Sequence, residues 1–274
     1  MAEADVIIAW GHGSVPDAVK PMFKRPTRFL TLPNPNWKSP LEGIGSVHGV
    51  LAKYASDVKP LRVSVLGFSA SCQGVAEVLG APDGGFVDSA IAIDGIHTGL
   101  PVTQAAMTPW LNFGKLAMVN ERLFVISHSS VVPPGYASTT QTAEWLWNTI
   151  TFEPTAFAVP PMPDLTVAPT SVHVSTGPAT GKDRTVQYPA PAWKGKRRAG
   201  GLVVLGLNNL DGPGTADHIY QAKAMLPMVL TQFLAKRWNE MDPHAMGQAC
   251  FVGAPRVVYS FHPVEMFVPQ RMAA

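Results

Sequence analysis

Ser69 sits in the run Val63-Ser64-Val65-Leu66-Gly67-Phe68-Ser69-Ala70-Ser71-Cys72, where an apolar, β-branched stretch stops at a serine with small residues, Gly67 and Ser71, two places to either side. That spacing lets a strand and a following helix close on each other across a tight turn whose central residue takes an unfavourable backbone conformation. A hydroxyl lifted onto such a turn can serve as a nucleophile. The helix N-terminus beneath it offers unsatisfied N–H groups and a positive dipole end to an oxyanion. The same spacing also suits an ordinary strand-to-helix turn, so the chemistry depends on what the rest of the chain brings near it.

Three other apolar runs end in residues that acyl transfer would use. Trp10-Gly11-His12-Gly13-Ser14 follows the first run. A His-Gly pair there marks an oxyanion-hole loop, because glycine lets a backbone N–H face a carbonyl oxygen. Ser14 and Ala70 would each supply an N–H, with His12, Gly13 and Phe68 beside the substrate; a plain glycine turn is the alternative. Asp94-Gly95-Ile96-His97 places a carboxylate at a strand end, able to orient a histidine or to cap the segment that follows. His97 reads as a hydrogen-bonding residue of that turn. Finally, the polar, glycine-rich stretch Asn208–Asp217 leads to His218 at the start of a long helix, where a general base could reach back to Ser69. Asp94 is the first choice for the acid and Asp211 the second, since Asp217 is too close in sequence to His218 to bridge it easily.

The chain order Ser69, Asp94, His218, with the elbow and the His-Gly loop, resembles the α/β-hydrolase superfamily of serine esterase and lipase type over about residues 5–238. The resemblance implies a doubly wound, mostly parallel sheet flanked by helices and a Ser-His-Asp triad cleaving a carboxylic ester, on a small molecule or a polymer, through an acyl-enzyme. Two positions depart from the family pattern. Ser71 stands where glycine is commonest, and the second strand after the elbow ends in Ser127-His128-Ser129-Ser130-Val131, without the carboxylate most members carry there. Asp94, one strand earlier, occupies a minority placement. Amide or peptide hydrolysis on the same triad is the closest alternative, and a binding protein that retains the fold without turnover is another.

Composition excludes several other classes. The 274 residues are 46% hydrophobic and 15% charged, which suits a packed globule and not a disordered chain. A net charge of +2 gives no field that would draw nucleic acid. No Gly-x-Gly-x-x-Gly, P-loop, His-Glu-x-x-His or Cys-x-x-Cys spacing occurs, so neither a cofactor nor a metal is expected. Cys72 and Cys250 form no disulfide framework. The start of the chain lacks the pattern of a signal peptide and no apolar run is long enough to span a bilayer, which makes a cytoplasmic protein the expectation.

The elements that must position these residues follow from periodicity. Asp5–Trp10, Arg28–Leu32, Leu61–Phe68, Ser89–Asp94, Arg122–Ser127 and Gly201–Leu207 read as buried strands of a parallel sheet. Ser39-Pro40-Leu41-Glu42 reads as a capping box opening a helix that runs to about Lys59-Pro60. Short helical patterns follow near Gln73–Leu79 and from Ser138, capped with Gln141. A last long helix spans about Ala216–Trp238, kinked at Pro227. Residues 100–199 form an insertion or cap-like segment within a single domain. Eight of the 26 prolines fall between Pro154 and Pro191, around a hairpin of Val172–Val174 and Thr185–Tyr188. Lys194, Lys196, Arg197 and Arg198 read as a solvated basic loop. Trp110, Phe113 and Tyr136 are candidates, with Phe68, for a partly apolar acyl pocket, or equally for ordinary core.

Overall fold

The structure is a computed structural model describing residues 1–11, 14–32, 41, 44–129, 132–151, 161–174, 184–208 and 215–244. Nine strands are present among them: β1 Ala2–Trp10, β2 Thr27–Leu32, β3 Val58–Phe68, β4 Val87–Ile93, β5 Leu123–His128, β6 Thr170–Val174, β7 Arg184–Tyr188, β8 Trp193–Ala199 and β9 Leu202–Leu207. Seven form one sheet in the order β2-β1-β3-β4-β5-β9-β8. Its first six strands run parallel and β8 closes the edge antiparallel to β9. The apolar runs are continuous because both faces are covered.

Alternate residues divide the core. Val6, Val63, Ala90, Phe124 and Val204 face helices α1 Val47–Tyr54, α2 Cys72–Gly80, α3 Gln104–Met118 and α4 Thr139–Ile150. Ile7, Leu66, Ile91, Val125 and Val203 face the hairpin β6–β7 and the C-terminal helical segment. That segment is α5 Thr215–Tyr220, α6 Leu226–Val229 and α7 Lys236–Glu240, joined through π-helical stretches Gln221–Met225 and Leu230–Ala235. The π turns flank Pro227, whose ring removes one rung of the helical ladder.

Several expectations are corrected. The first helix, expected to open with a capping box at Ser39, is capped by Ser46, whose side chain accepts from Gly49 N at 2.9 Å. Leu41 starts only a turn, closed by Gly45 at φ +71°. Asp83, distant in sequence, supplies the rest of the cap by accepting from Val47 N and His48 N, both at 2.9 Å. Lys59 and Pro60 belong to β3 and not to a helix end. Ser39, Pro40 and Glu42 lie outside the described residues. By contrast Ser138 and Gln141 do form a reciprocal capping box on α4.

The segment 100–199 contributes β5 and β8 to the sheet and α3 and α4 to its flank, so most of what is described there is framework; the hairpin β6–β7 stands apart from the sheet. The basic residues 194–198 lie in edge strand β8 and not in a loop. Arg197 pairs with Glu144 and lies over Trp147, 5.0 Å from its centroid. Trp110 and Phe113 pack on Phe124 in the core, with centroids 5.7 and 5.8 Å apart, and not in an acyl pocket. Among the described residues no helix is long and apolar enough to cross a membrane.

Candidate functional site

From β1 the chain goes to β2 on one side and, after α1, to β3 on the other, so the sheet has its switch point between β1 and β3. Register aligns the carboxyl ends: Trp10 opposite Gly67, Phe68 opposite Ile93, Ile93 opposite Ser127. Just beyond these positions stand Gly11, Ser69 and Asp94, and after the end of β5 at His128 comes Ser129. Parallel pairing therefore brings together candidates separated by up to 118 positions.

Ser69 opens a 3-10 turn, Ser69–Ser71, that runs into α2, and its φ is +57°. A non-glycine residue there costs about 1–3 kcal/mol, held by the surrounding packing. Gly67 explains the holding: a Cβ on it would sit 2.9 Å from the backbone of Ser71 and Cys72. Gly95 does the same from the next strand end, where a Cβ would meet Ser69 O at 2.1 Å and Cys72 Sγ at 2.5 Å. Cys72 is fully buried and its thiol is pushed far up by burial, so it is not a competing nucleophile.

Asp94, φ +44°, is the second strained residue at a strand end. Its carboxylate is buried and takes four donors. Oδ1 accepts from Ser129 N at 2.8 Å and Thr139 Oγ1 at 2.5 Å; Oδ2 accepts from Ser129 Oγ at 2.7 Å and His218 Nδ1 at 2.7 Å. Burial alone would raise its pKa. The bond and charge of His218, with Thr139 and Ser129, outweigh that and hold Asp94 below the usual carboxylate value. His218 stacks on Phe68 with centroids 4.5 Å apart, and its side chain keeps 16% exposure while that of Asp94 has none. With Nδ1 committed to Asp94, Nε2 is the nitrogen left to exchange a proton.

Of the remaining candidates, Ala70 is half-buried in the turn after Ser69 and Ser14 is exposed beyond β1. His12, Gly13 and Asp211 lie outside the described residues. His97 is half-buried, its backbone carbonyl accepting from Gln73 Nε2 at 3.0 Å. Its ring pKa is lowered, chiefly by burial. Asp217 accepts from Tyr188 Oη at 2.7 Å, and Tyr188 stacks on Tyr220 at 4.2 Å, so this carboxylate ties the hairpin to α5.

Two residues of the site escaped sequence reading. Ser129 and Thr139 build the seat of Asp94 from the end of β5 and the start of α4, and no local spacing announces that. His128 braces the seat: Thr140 donates to Ser129 O at 2.7 Å and so accepts from His128 Nδ1 at 2.9 Å. Burial pushes the His128 pKa to about 4, and a Gly206 Cβ would press to 2.7 Å on its ring. Among the described residues no group of three or more His, Cys, Asp or Glu could hold a metal ion.

Fold and site thus define an α/β protein with a mostly parallel seven-stranded sheet and a buried Asp–His pair beside a strained, strand-end serine. Compared with protein-family models, curated proteins and solved structures, the chain matches none.

Proposed function

We propose that the protein is a serine hydrolase cleaving a carboxylic ester. The observation that carries this reading is the Asp94–His218 bond of 2.7 Å beside Ser69 in its left-handed conformation. Support comes also from the topology, since nucleophile, acid and base follow three parallel strands of one sheet, β3, β4 and β9, with the acid in the minority placement of the α/β-hydrolase pattern.

In this reading His218 Nε2 takes the Ser69 proton as Oγ attacks the ester carbonyl. Asp94 holds Nδ1–H and stabilises the imidazolium, while the backbone N–H groups of Ala70 and Ser14 receive the oxyanion. The imidazolium then protonates the leaving alkoxide, and water attacks the acyl-enzyme by the reverse relay. No step calls for a cofactor.

Hydrolysis of p-nitrophenyl acetate tests the assignment. Ser69→Ala is expected to lower kcat by about 10³-fold or more, and a fluorophosphonate should label wild type at Ser69 and leave the variant unlabelled. Equal rates in the two proteins would refute the reading. A p-nitroanilide in the same assay separates ester from amide preference, which the triad does not decide.

A further inference from the structure

The segments that leave β1, β3, β4 and β5 for the site are free of charge apart from Asp94, while the one that carries His218 holds Asp211 and Asp217. Residues 6–16, 63–76, 95–114 and 123–143 contain no Asp, Glu, Lys or Arg, although charged residues make up 15% of the chain. In the strands this follows from burial. In the connections beyond the strands it does not, because those segments reach solvent, where Lys, Glu, Asp and Arg are ordinarily placed.

Their exposed residues include large apolar side chains beside uncharged polar ones such as Thr103 and Gln104. Six large hydrophobic side chains are exposed among the described residues, and Leu100 (61%), Val132 (62%) and Tyr136 (49%) are three of them. They come from the connections after β4 and β5, which are joined to each other: Gly99 bridges Tyr136, and Ala137 N donates to Thr98 O at 2.9 Å. The same two connections hold Asp94, through Ser129 and Thr139, and Gln73 of α2 ties the residue-97 turn to the elbow. The apolar cluster thus belongs to the rim of the Ser69 site. Scattered single apolar residues on a surface need no explanation, but grouped ones beside a reactive centre mark a binding surface.

His97 and His128, the described histidines of these connections and strand ends, have pKa values lowered chiefly by burial. Lys194 and Arg197 of β8 lower the His128 value further.

We infer that the substrate is a neutral ester bearing an aliphatic or aromatic group, and that this group rests on the rim formed by Leu100, Val132 and Tyr136. The inference rests on the hydrolase reading and names its substrate class. An anionic acyl group would lose water against this rim and find no Lys or Arg in these four segments, whereas an apolar one is drawn to it by burial.

Kinetics on p-nitrophenyl acetate, p-nitrophenyl octanoate and mono-p-nitrophenyl succinate test it, with Ser69→Ala as the blank. Wild type is expected to show kcat/KM in the order octanoate, acetate, succinate. In Leu100→Glu/Val132→Glu the octanoate-to-acetate ratio should fall at least tenfold. Leu100→Gln/Val132→Gln, which adds no charge, should move the ratio the same way by less and guards against a folding defect in the first variant. Equal handling of acetate and octanoate by wild type, or preference for the succinate ester, would overturn the substrate class and leave the hydrolase reading standing. If no ester is turned over above the Ser69→Ala blank, the hydrolase reading falls and this inference with it.

Discussion

Asp94→Asn is expected to lower kcat on a short p-nitrophenyl ester by about 10³- to 10⁴-fold at neutral pH, with the fold retained. The size follows from the donor count. The carboxylate accepts four hydrogen bonds, and an amide cannot replace it because half of it donates. The Ser129 and Thr139 hydroxyls can turn to suit a new partner, but Ser129 N–H cannot. The amide oxygen must therefore stay opposite Ser129 N, which turns the amide nitrogen toward His218 Nδ1. That nitrogen is then forced to accept, the proton moves to Nε2, and the imidazole can no longer take the Ser69 proton. Asp211→Asn, measured alongside, should change kcat by far less. A comparable loss in Asp211→Asn with none in Asp94→Asn would transfer the acid to Asp211. The stability linkage has a definite sign. Asp94 is held below its ordinary pKa, so its interactions stabilise the fold fully above the ordinary carboxylate value, about 3.9, and are lost as pH falls through the lower folded-state value. Thermal unfolding of wild type should accordingly drop more steeply below about pH 4 than that of Asp94→Asn.

What the sequence made legible is what local physics decides. Buried parallel strands are continuous apolar runs, so the six sheet strands with such runs could be read to within a few residues. Gly67-x-Ser69-x-Ser71 shows its small flanking residues, and the capping box of α4 lies within four positions. Elements settled by distant partners were not legible. Helix α1 starts at Ser46 because Asp83 caps it across the fold. Helix α3 contains Pro109 and Gly114, both poor helix formers, and gave no expectation at all. Gly114 leaves room there for Ile150, whose Cδ1 lies 2.3 Å from where a Cβ would be. At the site, Asp94 could be chosen as a strand-end carboxylate, but its seat could not. Ser129 and Thr139 reach it only because β5 lies next to β4 and α4 returns over that strand end.

Arg62→Leu is expected to destabilise the protein by about 3–5 kcal/mol, because it strands a buried charge at the far end of the sheet from Ser69. Arg62 and Asp5 both have side chains 1% exposed and pair through two bonds, Nε to Oδ1 at 2.9 Å and Nη2 to Oδ2 at 2.5 Å. Nη1 donates to Trp238 O at 2.9 Å, and the guanidinium lies 4.9 Å from the Trp238 ring. Trp238 in turn donates Nε1–H to Asp88 at 2.7 Å, so β1, β3, β4 and the last helix meet in one polar cluster. Removing the arginine alone leaves Asp5 without a countercharge and the Trp238 carbonyl without a donor. At roughly 2–4 °C per kcal/mol for a domain near this size, the loss corresponds to a fall in Tm of roughly 6–20 °C, measurable by calorimetry. Asp5→Leu combined with Arg62→Leu removes both charges and should recover much of that loss, since an apolar pair of similar volume often matches a buried ion pair. A double variant no more stable than Arg62→Leu would show that the bonds to the last helix, and not the unpaired carboxylate, carry the effect. Because this cluster lies at the opposite strand ends from Ser69, any surviving folded fraction of Arg62→Leu should retain wild-type kcat, which separates a collapse of the scaffold from damage to the site.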